Sequence, residues 1–85
     1  MTEGAGGLPV VDERVDARGL NCPLPILRAK KALAALESGK VLSVLTTDPH
    51  AAGDFLAFCR QTGNALLAQQ SSDDGTVLTH YIRRR

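Results

Sequence analysis

Two prolines, Pro23 and Pro25, stand one residue apart behind a cysteine in the run Gly19-Leu20-Asn21-Cys22-Pro23-Leu24-Pro25. No other stretch narrows the possible folds of this chain as much. Proline has no backbone N–H and its ring clashes with the preceding turn, so neither residue can lie inside a helix or a central strand. The first turn of a helix is different. Its N–H groups lack intrahelical partners in any case, and the fixed φ of proline suits the first helical position. The pattern predicts a helix from Pro23 to about Glu37, with Cys22 as N-cap, Pro23 at N1 and Pro25 at N3. Ile26, Ala29, Leu33 and Leu36 recur along it at helical spacing, with Lys30 and Lys31 to one side.

A chain of 85 residues has room for one domain with a thin core. Little space remains for an internal cavity, so any reaction is expected at the surface. The domain is expected over residues 10–85, behind a disordered Gly-rich lead-in over 1–9. Glu13-Arg14-Val15-Asp16-Ala17 alternates with period two and reads as a strand, with Val15 and Ala17 facing the core. Arg18 to Asn21 is a turn, and Ser38-Gly39 stops the helix. Lys40 to Thr47 is β-branched and apolar, a buried strand. Asp48-Pro49 reads as N-cap and N1 of a second helix, with Gly53-Asp54 as an alternative start. Phe55, Phe58, Cys59 and Thr62 share one face of that helix, and Gly63-Asn64 ends it. Ala65 to Gln70 and Thr76 to Arg83 are strands around a turn at residues 71–75, with Leu78, His80 and Ile82 on one face.

The order is therefore β-α-β-α-β-β. A right-handed crossover makes the first two strands parallel, and the last two are antiparallel. The expected fold is α+β, a two-layer α/β sandwich with a four-stranded mixed sheet and both helices on one face.

With 44% hydrophobic and 22% charged residues, the composition is that of a soluble globular domain. The net charge of +1 argues against direct binding of nucleic acid. No apolar run approaches the roughly 20 residues needed to span a bilayer, so no membrane contact is expected. The N-terminus has neither a basic start nor a long apolar stretch, so no signal peptide is expected. A cytoplasmic location follows, with both cysteines as free thiols.

As N-cap, Cys22 would sit at the positive end of the helix dipole, which favours the reactive thiolate. The Leu24 N–H would be available to the sulfur, and Arg18 or Arg28 could reinforce the effect. The competing reading is a buried cysteine that merely packs. Cys59, beside Phe55 and Phe58, is expected in the core, the alternative being a resolving thiol for Cys22. A zinc site from Cys22, Cys59, His50 and His80 lacks the short paired spacing such sites use, so no metal is expected. His50 is expected at the surface, and His80 as a partly buried structural residue. Arg18, Arg28, Lys30, Lys31 and the Arg83-Arg84-Arg85 tail are either solvated surface or a positive rim near Cys22 that would steer an acidic partner.

Asp16-Ala17-Arg18-Gly19-Leu20-Asn21-Cys22-Pro23-Leu24-Pro25, followed by Lys30-Lys31-Ala32-Leu33, resembles the TusA-type sulfur carriers. The resemblance continues through Thr47-Asp48-Pro49, Asp54, Phe58-Cys59-Arg60, Thr62-Gly63 and Ile82-Arg83-Arg84. Asn64 and His80 depart from it, standing where a histidine and an aromatic residue are frequent. The resemblance implies the same β-α-β-α-β-β sandwich and a sulfur-relay function, with sulfane sulfur held as a persulfide on Cys22. A cysteine desulfurase or a rhodanese would load it, and a thiol of an acceptor sulfur-relay protein would take it. The end use would be tRNA thiolation, sulfur oxidation or related sulfur trafficking. Cys22 is then the catalytic residue, Arg18, Gly19, Asn21, Pro23 and Pro25 shape its site, and Arg28, Lys30 and Lys31 are candidates for partner docking. No cofactor is required, since one thiolate attacks sulfur and another leaves. A monomer is expected, because a shuttle must show the same cysteine to successive partners.

Two other classes of function compete with this one. A thiol-redox module would use Cys22, with or without Cys59, although no Cys-x-x-Cys pair is present. A regulatory or interaction module would keep its function in a Cys22→Ala variant.

Overall fold

A computed structural model describes residues 8–85. The lead-in expected over residues 1–9 thus lies almost wholly outside the described residues. Six elements follow in the expected order: β1 (Glu13–Ala17), α1 (Leu24–Ala35), β2 (Val41–Thr46), α2 (Ala51–Thr62), β3 (Ala65–Ser71) and β4 (Leu78–Arg83). They build one four-stranded sheet in the order β1-β2-β4-β3. β1 runs parallel to β2, with Ala17 opposite Thr46, and β4 runs antiparallel to both β2 and β3. β2 is central because its sequence suits burial on both faces: all of it but Leu45 is buried.

α1 packs on β1 and β2, α2 packs on β3 and β4, and the helices touch each other. Each helix presents an i, i+4 stripe to the sheet: Pro25, Ala29 and Leu33 from α1, and Ala51, Phe55 and Cys59 from α2. These stripes, apart from Pro25, meet Ala17, Leu42, Val44 and Ile82 to form the core. Full burial of a side chain such as Leu42, Phe55 or Ile82 contributes about 1.5–3 kcal/mol.

The element ends differ from expectation for local reasons. α1 begins one residue late, because the Pro23 carbonyl accepts the Leu27 N–H at 3.1 Å and the Asn21 carbonyl accepts the Leu24 N–H at 2.8 Å. Pro23 is therefore the N-cap, Pro25 lies at N2 rather than N3, and Cys22 falls in the turn just outside the helix. α1 also ends before Glu37, with Leu36 already extended. The left-handed Gly39 serves the turn that follows, where Lys40 N–H donates to the Glu37 carbonyl at 3.1 Å. α2 starts at Ala51 with His50 as N-cap, so neither Asp48 nor Gly53 is its cap. It ends on Gly63 as expected, with φ at 82°. β4 starts at Leu78 because the Asp74 carboxylate holds Thr76 in the preceding turn through its N–H at 3.1 Å and its hydroxyl at 2.8 Å. Between Leu66 and Ala68 the β3–β4 register shifts, leaving Leu67 as an extra residue of a bulge.

Candidate functional site

Because β1 and β2 are parallel, the loops that leave them emerge at the same end of the sheet. Two hydrogen bonds tie these loops together, and Asp48 is braced within its own. Gly19 N–H donates to the Thr47 hydroxyl at 2.9 Å, and its φ of 81° lets the chain turn there. Cys22 N–H donates to Asp48 Oδ2 at 2.7 Å. Asp48 Oδ1 accepts the His50 N–H at 3.0 Å and lies 3.1 Å from His50 Nδ1. Asp48 is only 7% exposed, so its charge is held by these donors rather than by water. The amides of His50 and Cys22 keep its carboxyl below the usual carboxylate range. The side chain expected to cap α2 instead caps a turn and reaches the cysteine loop.

Cys22 is exposed at this junction, not buried, and the Cys22–Pro23 peptide is cis. The electrostatics of its thiol are the reverse of expectation. Interaction with the Asp54 carboxylate, some loss of solvation and the charges of Asp54 and Asp48 push the Cys22 thiol above the ordinary cysteine range. The Leu24 N–H is already taken by Asn21. Arg18 is committed to Asp16 through a two-pronged pair at 2.9 and 2.8 Å, which holds the Asp16 carboxyl down at about 2. Arg28 also acts on Asp16.

The expected positive rim is therefore divided. Arg18 and Arg28 serve Asp16. Lys30 lines a groove of about 820 Å³ between the helices, together with Arg84 and Arg85. That tail follows Arg83, which pairs with Val41 at the start of β2, whereas Asp48 follows the end of β2. Six strand residues put the tail and the cysteine loop at opposite ends of the sheet, roughly 17 Å apart along it. Lys31 is exposed on α1.

Of the other singled-out residues, Cys59 is buried in the core, and burial raises its thiol as well. His80 is fully rather than partly buried. His50 is exposed. Among the described residues, no group of three or more His, Cys, Asp or Glu side chains could hold a metal ion. No helix among them is long and apolar enough to cross a membrane.

The sequence model of a known family, described as Sulfurtransferase TusA, matches residues 13–84. The chain belongs to the TusA family. A chain from Neisseria meningitidis is 62% identical over 73 residues, covering 86% of this chain and 96% of its own. The sulfur carrier protein TusA of Allochromatium vinosum is 58% identical over 73 residues, covering 86% of this chain and 93% of its own. A crystal structure of a SirA-like protein from Desulfitobacterium hafniense superposes with a TM-score of 0.73 at 29% identity, covering 87% of this chain and 100% of that one. The sandwich expected from the sequence is thus the fold of a solved relative.

Thr47, Asp48 and Asp54 are the residues around Cys22 that sequence reasoning left without a role there. Thr47-Asp48 and Asp54 lie within the TusA resemblance, but their links to the cysteine loop span 26 residues or more and depend on which strands are parallel.

Proposed function

We propose that this TusA-family chain carries sulfane sulfur as a persulfide on Cys22 and passes it to a protein thiol. The observation that carries the reading is an exposed thiol whose own backbone N–H is pinned by a nearly buried carboxylate, Asp48. A fixed and accessible sulfur is what serial exchange with other proteins requires. Relatives that bear the name sulfur carrier protein TusA support the same reading.

In the loading step, the Cys22 thiolate attacks the terminal sulfur of a donor persulfide. The new S–S bond forms at Cys22 as the old one breaks, and the donor cysteine leaves as thiolate. Delivery repeats the exchange, with an acceptor thiolate attacking the terminal sulfur and Cys22 leaving. No electrons are gained or lost over the relay. Asp54, the carboxylate that acts most on the thiol, takes the Cys22 proton as attack begins in this reading. Its influence also makes Cys22 a slower leaving group, since leaving falls as thiol pKa rises, and this favours retention of the sulfur until an acceptor arrives. Arg18, Gly19, Asn21, Pro23 and Pro25 shape the loop in this reading, and Arg28, Lys30 and Lys31 serve docking. The donor is a cysteine desulfurase or a rhodanese, and the exchange belongs in the cytoplasm, where Cys22 stays reduced. The acceptor is a sulfur-relay protein of tRNA thiolation, sulfur oxidation or a related route.

Intact-mass spectrometry under non-reducing conditions tests this. The protein is incubated with a cysteine desulfurase and cysteine, or with a rhodanese and thiosulfate, beside a Cys22→Ser variant. The expected result is a gain of one sulfur atom that reductant reverses and the variant lacks. No gain with either donor in a folded protein, or a gain that survives in Cys22→Ser, overturns the assignment.

A further inference from the structure

His80 lies buried between Phe55, Thr46 and Gln69, and the relay described above makes no use of it. It is fully buried and stacks on Phe55 with ring centroids 4.6 Å apart. Its Nδ1 is 3.0 Å from Gln69 Nε2, and its Nε2 is 2.8 Å from the Thr46 hydroxyl. Gln69 Nε2 also donates to the Ala52 carbonyl at 3.1 Å. That bond fixes the amide nitrogen as the end facing the imidazole. Nδ1 must then accept from Gln69, so Nε2 carries the proton and donates to Thr46. One neutral tautomer therefore joins three segments: β3 through Gln69, the first turn of α2 through the same amide, and the last residue of β2 through Thr46.

Thr46 is fully buried and is followed at once by the two side chains that grip the other loop. Thr47 holds the Gly19 N–H, and Asp48 holds the Cys22 N–H. A polar network inside a core is costly when incomplete and rigid when complete. This one is complete at each named atom, and it ends one residue short of the site.

We propose that His80 is a positioning residue for Cys22: through Thr46 it fixes the corner from which Thr47 and Asp48 hold the cysteine loop. The proposal rests on reading Cys22 as the reactive thiol. Its test needs no sulfur donor, so it can fail while the relay stands, and the relay can fail while it stands.

The test compares Thr46→Val, which is close to isosteric and removes the hydroxyl, with His80→Phe, which keeps the stack and removes both hydrogen bonds. Ile82→Val, a core change on the same strand outside the network, is the control. Amide hydrogen exchange of Gly19 and Cys22 is read together with the pH–rate profile of Cys22 alkylation by iodoacetamide. Loss of one buried hydrogen bond predicts about fivefold faster exchange at both amides in Thr46→Val. The alkylation midpoint is expected to fall in the network variants, as the loosened loop carries the thiol away from the two carboxylates that act on it, Asp54 and Asp48. Ile82→Val is expected to leave both readouts in place. If Thr46→Val leaves both where Ile82→Val does, or if the control moves them equally, His80 is only a core residue and the proposal is wrong. Should His80→Phe fail to fold, Thr46→Val decides alone.

Discussion

At the scale of single residues, the cysteine loop sets local charge against helix geometry. Cys22 stands just outside α1, where a helix dipole favours the thiolate, yet Asp54 and Asp48 hold the thiol above the ordinary cysteine range. Asp54→Asn is therefore expected to lower the Cys22 pKa and speed its alkylation at neutral pH, measured as a pH–rate profile with mass detection of the modified residue. An unchanged or higher midpoint would mean that Asp54 does not act on the thiol. Cys59 is expected to stay unmodified in the same experiment until the protein unfolds, since it is buried and its thiol is raised by burial alone. The exposed position of Cys22 was legible because its cause is local: two prolines admit few structures. The Asp54 contact was not legible, because it is made by an element 32 positions further along the chain whose place depends on helix packing. The commitment of Arg18 was missed for a different reason: Asp16, two residues away, competes with the thiol for its charge, and spacing alone does not say which wins.

Elements were legible through their periodicity, and their ends only in part. The stripes at Ala29 and Leu33, and at Phe55 and Cys59, follow from spacing alone. The boundaries depend on which carbonyl or carboxylate takes each free N–H, and several donors and acceptors compete within a turn. Asp48-Pro49 has the look of a helix start, but the carboxylate finds better use between the Cys22 and His50 amides. Gly63 is the end that sequence placed correctly, because its left-handed backbone suits glycine alone. Gly63→Ala is expected to cost about 1–2 kcal/mol from the left-handed strain. The added methyl would meet only the flexible end of Arg85, at 3.3 Å, so sterics add little. Urea unfolding checks this, and a loss near zero would show that the helix end relaxes to another conformation.

For the molecule as a whole, acid stability should report on the buried imidazole. Burial holds the His80 pKa down at about 4, against 6.5 when unfolded. The unfolded chain therefore binds a proton that the folded one refuses. Stability is intact above 6.5 and falls as pH drops toward 4, by about 3 kcal/mol over the window. His80→Phe is expected to flatten that fall in urea titrations between pH 7 and pH 4.5. The exposed and turn carboxylates Asp16, Asp48 and Asp74 have lowered pKa values, so their losses come in more acid solution and leave the window clear. An equal fall in the variant would point to other groups. The parallel first pair and the antiparallel last pair were legible from the β-α-β crossover and the closing hairpin, but the order that sets β4 rather than β3 beside β2 was not. The division of the basic residues was not, because it depends on which end of the sheet each chain segment reaches.

Among the described residues the sheet has two open edges, β1 and β3, and an open edge is a ready template for a second copy of the same chain. Here both edges are spoiled. β3 carries the extra Leu67, which breaks its ladder and bends the strand. β1 is five residues long and offers Glu13, Arg14 and Asp16 at its margin. Edges built this way disfavour the edge-to-edge pairing of sheets from which fibres grow.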